Sequence, residues 1–238
     1  MTCEEIVIKL RARGNAKNIE GMERFGIHPK DEKLGVSMPD IRSIGKEILA
    51  DIRKNNTKRH ILAGDLWTTK IHEARILASI IDLPEMISEQ QMEKWVQDFD
   101  SWDLCDQVCM NLFCGVSFAQ KKVFDWVKRE EEFVRRAGFA LVACLAVHDK
   151  KLSDKEFAKF FPVINRFSTD ERNFVRKAVN WALRQIGKRN LILNKQAVKI
   201  AREIQAIDSK TAKWIANDAL RELTSVTVQK MLKLKQKT

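Results

Sequence analysis

The 238-residue sequence is 45% hydrophobic, which is enough for a sizeable core and excludes a disordered chain. It contains only nine Gly and four Pro, and so few turn formers favour helices over a β-sandwich. The 43 Lys and Arg residues against 32 Asp and Glu give a formal net charge of +11. This excess predicts a polyanion partner, most simply nucleic acid, with a merely soluble basic protein as the alternative.

Hydrophobic periodicity of the helical kind runs along the chain with few interruptions. Residues 2–25 predict one amphipathic helix and a weaker second one, followed by a polar loop over 26–38. Pro39 suits the first turn of the next helix. Further helices are predicted at 58–68, 70–83, 88–98, 102–114, 119–129, 132–147, 153–166, 171–188, 191–205, 209–223 and 224–235. Without strand patterns or linkers, we predict a single all-α domain over 1–238 that ends in a basic tail, 229–238.

Two short segments recur along the chain. Residues 133–137 (FVRRA) return as 174–178 (FVRKA), and residues 182–186 (ALRQI) return as 219–223 (ALREL). The offsets are 41 and 37 residues. Offsets near 40 between helix pairs are typical of HEAT or armadillo repeats, which stack into a solenoid. We therefore predict an α-solenoid of HEAT-like helical repeats, whose concave basic face could wrap a duplex.

The segment 100–106 (DSWDLCD) predicts a helix start with Asp100 or Ser101 as its cap. Trp102 and Asp106 are four residues apart, so they share one helix face. A core Trp and a helix-start carboxylate would explain the pair structurally. An aromatic beside an acid in a basic chain also suits a functional site.

Helical spacing also predicts the surroundings of this pair. Asp106 is expected at the edge of the apolar side, beside Trp102, Met110 and Phe113. The solvent side is expected to carry Asp103, Gln107 and Asn111.

The helix predicted at 171–188 carries one basic stripe with an aromatic in it. Its members, spaced four, three and four apart, are Lys177, Trp181, Arg184 and Lys188. Trp181 is expected at the border of the apolar face, either covering the core edge or forming a nucleic-acid surface among phosphate-binding cations.

Arg135 and Arg136 begin a helix that is otherwise apolar almost all round. The positive end of the helix dipole does not favour cations there, so we expect an anionic partner. It could be a carboxylate or a DNA phosphate, and the alternative is simple exposure at the solenoid edge.

Metal and redox sites are not indicated. Cys105, Cys109 and Cys114 lack a fourth ligand at a usual spacing, and His72-Glu73 lacks the second His of a zinc protease motif. Five cysteines in apolar contexts suit a reducing compartment. We expect no signal peptide and no membrane span, and hence a cytoplasmic, nucleoid-associated location.

Several pieces of the sequence resemble the AlkD-like DNA alkylation repair glycosylases, from about residue 35 to 190 and more loosely to 223. The pieces are 35–42 (GVSMPDIR), 65–67 (DLW), 101–106 (SWDLCD), Arg136-Ala137 and 177–184 (KAVNWALR). The resemblance implies a HEAT-like solenoid that holds duplex DNA on a basic face. The implied activity is cleavage of the N-glycosidic bond of cationic N3- and N7-alkylated purines, the first step of base excision repair.

The resemblance also assigns residues. Asp106 matches the catalytic aspartate, Trp102 and Trp181 match the tryptophans that flank the lesion, and Arg136 matches a residue that holds the DNA backbone. Arg135, Lys177, Arg184 and Lys188 are the further candidates for backbone contacts. No metal or other cofactor is expected, and the protein is expected to act as a monomer.

The sequence departs from the family pattern at three places. Ser101 stands where relatives often have an aromatic, and residues 1–34 match poorly. The chain also has no Tyr, so any role of a tyrosine in the family falls to Phe25, to another aromatic or to no residue. Two alternatives to the glycosylase therefore stay open. One is a non-catalytic HEAT-repeat module that binds distorted duplex DNA, and the other is a HEAT scaffold that binds protein.

Overall fold

The computed structural model describes residues 1–52 and 55–235, so Lys237 of the predicted basic tail lies outside it. The chain divides into two compact units, 1–117 and 118–238. Within the described ranges there is no strand, and only an isolated bridge joins Glu32 to Ile71. The all-α prediction is therefore confirmed, whereas the single domain stays a prediction. None of the described helices has the length and apolar content needed to cross a membrane.

The first unit contains seven α-helices within its described residues. They are α1 (Cys3–Ala12), α2 (Ala16–Arg24), α3 (Met38–Ile52), α4 (Asn56–Thr68), α5 (His72–Ile81), α6 (Glu89–Gln97) and α7 (Trp102–Asn111). Two short 3₁₀ turns follow α5 and α7, at Pro84–Met86 and Phe113–Gly115. The predicted helix pair in 2–25 and the loop after it are confirmed.

The second unit contains the remaining helices of the described chain. They are α8 (Ala119–Trp126), α9 (Glu132–His148), α10 (Asp154–Ala158), α11 (Phe161–Arg166), α12 (Asn173–Gly187), α13 (Leu191–Gln205), α14 (Lys210–Leu223) and α15 (Val226–Lys235). The predicted helix at 153–166 is wrong in one respect, because it is two helices. Pro162 lies in the first turn of α11 and cannot donate the hydrogen bond that would continue α10.

Side-chain caps fix many of the helix starts. Thr2 and Ser153 each form a capping box with the Glu three residues later, at the starts of α1 and α10. Asn190 and Ser209 cap α13 and α14 by accepting a backbone N–H of the first turn. Such caps explain why polar breaks in the sequence located the helices well.

The core of the first unit is built around α5, which is buried on nearly all its sides. Beside it, the indole rings of Trp67 and Trp95 stack with centroids 3.9 Å apart. Trp67, part of one family-like piece, is therefore a core residue whose Nε1 donates to Asp98 Oδ2 at 2.7 Å.

In the second unit, the helices that carry the recurring segments pack side by side. The equivalent rings of Phe133 on α9 and Phe174 on α12 have centroids 5.5 Å apart. Helices α12 and α14 also pack together, and a Cβ added at Gly187 would lie 2.6 Å from a methyl carbon of Leu223. The recurrence therefore reflects structural repeats, because equivalent helices occupy neighbouring positions.

Candidate nucleic-acid interface

Helix α7 of the first unit carries Trp102 and Asp106 on one face, and both side chains are half-buried. Ser101 is the N-cap residue, as predicted, but its side chain makes no capping hydrogen bond. The predicted apolar side of this helix is buried. Trp102 and Asp106 therefore lie where the sequence predicts them, at the edge of the core.

The backbone of Phe25 holds the indole of Trp102. Trp102 Nε1 donates to the Phe25 carbonyl oxygen at 3.0 Å. Phe25 follows the last residue of α2, and its ring is 75% exposed. Phe25, which the sequence suggested as a substitute for a tyrosine, thus contacts Trp102, the predicted lesion-flanking tryptophan.

Asp103 does not face solvent, and this prediction is wrong. Its Oδ2 lies 2.8 Å from Nε2 of His72, a residue of α5 that is 1% exposed. Burial alone would lower the pKa of His72, but the hydrogen bond and charge of Asp103 overcome it and raise that pKa. Burial alone would raise the pKa of Asp103, but the contact with His72 outweighs burial and lowers that pKa. Both directions favour an ion pair.

Asn111, also on the predicted solvent side of α7, contacts α5. Asn111 Nδ2 donates to Ser79 Oγ at 3.2 Å, and Gln107 is half-buried. Helix α7 ends at Asn111, earlier than predicted, and Phe113 begins a 3₁₀ turn, where it is fully buried.

Glu73 holds a loop in place, a structural role that the sequence did not predict. Its carboxylate, on a residue 1% exposed, accepts backbone N–H groups of Leu34, Gly35 and Val36 at distances of 2.6–3.3 Å. Gly35 has φ of +74°, and a Cβ there would lie 2.2 Å from the Asn15 carbonyl oxygen. The family-like piece that starts at Gly35 is therefore a tight loop held by a buried carboxylate.

An open pocket of about 440 Å³ lies among α2, α3, α5 and α7 of this unit. Trp102, Asp103, His72 and Glu73 are among its lining residues. The sequence carried a signal for His72 and Glu73, because these two ionisable residues begin the apolar helix α5, which has no polar face that could expose them to solvent. Such groups need buried partners, but the sequence does not say which.

The two arginines at the start of α9 are buried, so the alternative of simple exposure at the solenoid edge is wrong. Arg135 Nη1 lies 2.8 Å from Asp170 Oδ2, and its guanidinium lies 4.8 Å from the ring centroid of Phe167. Arg136 Nη1 donates to the Phe174 carbonyl oxygen, in the first turn of α12, at 2.5 Å. The carboxylate partner predicted for this pair is confirmed for Arg135.

Two cations of the predicted α12 stripe have carboxylate partners on α14. Arg184 Nη1 lies 2.5 Å from Glu222 Oε2 and 3.5 Å from Asp218 Oδ2. Lys188 Nζ lies 2.6 Å from Glu222 Oε1. Burial alone would raise the pKa of Glu222, but its contacts with these two cations lower that pKa. The shared carboxylate leaves this end of the stripe less positive than its sequence suggests.

The other two members of the stripe differ from these. Trp181 is half-buried, so it lies at the border of the apolar face as predicted. Lys177 is exposed and forms no ion pair with any residue in 1–52 or 55–235. Lys177 is therefore the stripe cation best placed to bind an external anion.

The described ranges contain no group of three or more His, Cys, Asp or Glu side chains that could hold a metal ion. Cys105 and Cys109 are core residues of α7, as their apolar context indicates.

Comparison with known proteins identifies the family of this chain and a solved structure with a similar fold. The family model described as DNA alkylation repair enzyme matches residues 6–223. A solved structure from a new family of proteins related to the HEAT-like repeat DNA glycosylases, with affinity for branched DNA structures, has a TM-score of 0.73 to this chain. It is 21% identical, and the alignment covers 94% of this chain and 96% of that chain. No curated protein matches the sequence.

The predicted HEAT-like helical fold is confirmed by this structural similarity. The family match also extends further than the quoted motifs do, since it begins at residue 6 and so includes most of the N-terminal helices that seemed to match poorly. Because it spans most of the sequence, it settles the membership that the motifs predicted. The chain belongs to the DNA alkylation repair enzyme family.

Proposed function

We propose that this protein is a monofunctional DNA glycosylase that hydrolyses the N-glycosidic bond of cationic N3- and N7-alkylated purines in duplex DNA. The observation that carries the proposal is the Trp102 and Asp106 pair on one half-buried face of α7, in a chain of the DNA alkylation repair enzyme family. The resemblance assigns these two positions to the lesion-flanking aromatic and the catalytic carboxylate.

The proposed reaction needs little from the protein beyond charge and position. The C1′–N bond breaks, and its electron pair leaves with the base, which neutralises the positive charge of the alkylated purine. Positive oxocarbenium character develops on the deoxyribose, as in glycoside hydrolysis. The Asp106 carboxylate stabilises that charge and orients the water that attacks C1′. The water proton passes to the carboxylate or to solvent.

Aromatic faces suit this substrate. A cationic base over an indole gains about 0.5–2 kcal/mol from the ring quadrupole. Trp102 is held in place by its hydrogen bond to the Phe25 backbone, so its ring is positioned before any substrate binds.

The second unit is proposed to hold the DNA backbone. Lys177 is its best candidate, because it is exposed on α12 and has no carboxylate partner among the described residues. The backbone role assigned to Arg136 and the lesion-flanking role assigned to Trp181 stay predictions. Arg135 forms an ion pair with Asp170, and its backbone role also stays a prediction. A monomer in the cytoplasm, associated with the nucleoid, stays a prediction as well.

The test is release of 7-methylguanine from methylated duplex DNA. We expect Asp106→Asn to lower the single-turnover rate by at least about 100-fold, because general acid–base and charge-stabilising groups contribute on that scale. Duplex affinity should change little, since the side chain keeps its size. Asp125→Asn is the matched control, because Asp125 is exposed and its loss removes the same charge. Equal release by wild type and Asp106→Asn, or no release by wild type, would overturn the proposal.

A second candidate function is a non-catalytic module that binds distorted duplex DNA. One finding favours it, namely that the solved relative belongs to proteins with affinity for branched DNA structures. This candidate predicts no base release and tighter binding of a four-way junction than of a linear duplex. It also predicts that Asp106→Asn leaves both affinities unchanged.

A further inference from the structure

The second unit contains an open pocket of about 570 Å³, and of its lining residues only Lys188 was expected to contact the DNA backbone. It lies where the C-terminal ends of α9 and α12 meet α15. Four cations are among its lining residues: Lys150, Lys188, Arg189 and Lys235. Among the described residues no Asp or Glu lines it, although the neighbouring carboxylate Glu222 contacts Lys188.

Backbone carbonyl groups orient three of these cations. Arg189 Nη1 donates to the carbonyl oxygens of Ala146 and Asp149, both at 2.8 Å, at the end of α9. Lys150 Nζ donates to the Val147 carbonyl oxygen at 2.7 Å, and Lys235 Nζ donates to the Lys188 carbonyl oxygen at 3.0 Å. The partial negative charge of helix C-termini partly balances such cations.

Burial and neighbouring cations act together on Lys235. Burial is the largest cause of a lowered pKa at Lys235, and the charges of Lys150, Arg189 and Lys188 add to it. Burial also lowers the pKa of Arg189, although the charges of Asp154 and Asp149 oppose that shift. The ammonium and guanidinium groups therefore repel one another across the pocket, and an anion placed there would relieve the repulsion. Lys150 is exposed and uses one of its three N–H donors on Val147.

We propose that this pocket binds a phosphate group of a nucleic-acid backbone. Several lysine ammonium groups around an open cavity suit a phosphate oxygen, which they bind as point charges. The neutral amide of Gln185, which also lines the pocket, adds a further donor. The inference deepens the proposed function and rests on its nucleic-acid partner, but not on base release.

The experiment measures the affinity of a short, unmodified, fluorescein-labelled duplex by anisotropy over a salt series. Lys150→Gln combined with Lys235→Gln removes two pocket charges. We expect the slope of log affinity against log salt to become shallower by about one or more, because each lost phosphate contact removes about one unit. Affinity at roughly 0.1 M salt should fall about tenfold.

The matched control is Lys195→Gln combined with Lys199→Gln. These two exposed lysines lie on α13 and do not line the pocket, so their loss changes the net charge equally. Equal slopes for the two double variants would overturn the inference. A second arm titrates inorganic phosphate and follows the thermal midpoint. If the pocket variant loses a phosphate-dependent rise but keeps the duplex slope, the pocket holds free phosphate and the nucleic-acid assignment is wrong.

The base-release assay separates this inference from the enzyme proposal. A shallower slope for the pocket variant, in a protein that releases no base, supports the phosphate site and removes the glycosylase. Normal base release with an unchanged slope supports the glycosylase and removes the phosphate site.

Discussion

Helices α7 and α12 carry most of the predicted site, and each divides its charged residues in the same way. On α7, Asp103 is bound to buried His72, while Asp106 shares a half-buried face with Trp102. On α12, Arg184 is bound to Glu222 of α14, while Lys177 stays exposed. Residues three or seven positions apart on one helix therefore have different surroundings.

The difference shows what helical spacing can and cannot reveal. Spacing shows which side chains share a face, because the helix period is fixed. It does not show which charges already have partners, because those partners come from the neighbouring helix. Three predictions test whether the paired charges stabilise the fold and the others act on DNA.

The largest effect on stability is expected at Arg135. Replacing the buried guanidinium removes one of the two cationic partners of Asp170, and breaking a buried ion pair costs about 3 kcal/mol or more. Asp170 keeps its contact with Arg172, so we expect Arg135→Met to lower the free energy of unfolding by about 3 kcal/mol. Urea unfolding followed by circular dichroism measures this value. Lys177→Met, at an exposed position, should change it by less than about 0.5 kcal/mol.

A reversed order would contradict the structural role of Arg135. Duplex affinity should show the opposite pattern, with Lys177→Met weakening binding and Arg135→Met leaving it unchanged in the protein that still folds.

A second effect is expected in the pH dependence of stability. The raised pKa of His72 contributes stability below the unfolded-state value of about 6.5, and this is lost as pH rises through the folded pKa. The lowered pKa of Asp103 contributes stability above about 3.9, and this is lost as pH falls through the folded pKa. The pair should therefore stabilise the protein most between about pH 4 and 6.5.

Urea unfolding at weakly acidic and weakly alkaline pH tests this window. Wild type should lose stability on going to alkaline pH, and Asp103→Asn should lose less, because its His72 no longer faces a charge. An identical loss in both proteins would mean that Asp103 does not hold the charge of His72.

The smallest effect is expected at Glu222. Glu222→Gln releases Arg184 and Lys188 from their shared carboxylate, so duplex affinity should rise about threefold, with a steeper salt dependence. The free energy of unfolding should fall by about 1 kcal/mol or less, since these pairs are only partly buried. Glu203→Gln removes one exposed charge from the same unit and is the control. Equal gains for both variants would show that only net charge matters.

Much of the fold could be predicted because helix formation here is local. Polar capping residues such as Ser209 and the apolar periodicity between them locate most helices to within a few residues. The split at Pro162 and the early end of α7 at Asn111 were missed, although the proline was visible. Asp103 was misplaced because no local pattern indicates the group that α5 presents to it, and the carboxylate expected for the arginines of α9 could not be identified as Asp170.

The sequence by itself determined the helical class, the recurring segments, the net charge of +11 and the sharing of one face by Trp102 and Asp106. These follow from composition and from the helix period, which act within a few residues of each other. Only the tertiary structure decided that Asp103 pairs with His72, that Glu73 holds the loop at Gly35, and that four cations meet around one pocket. Those contacts join residues far apart in the chain, and packing alone brings them together.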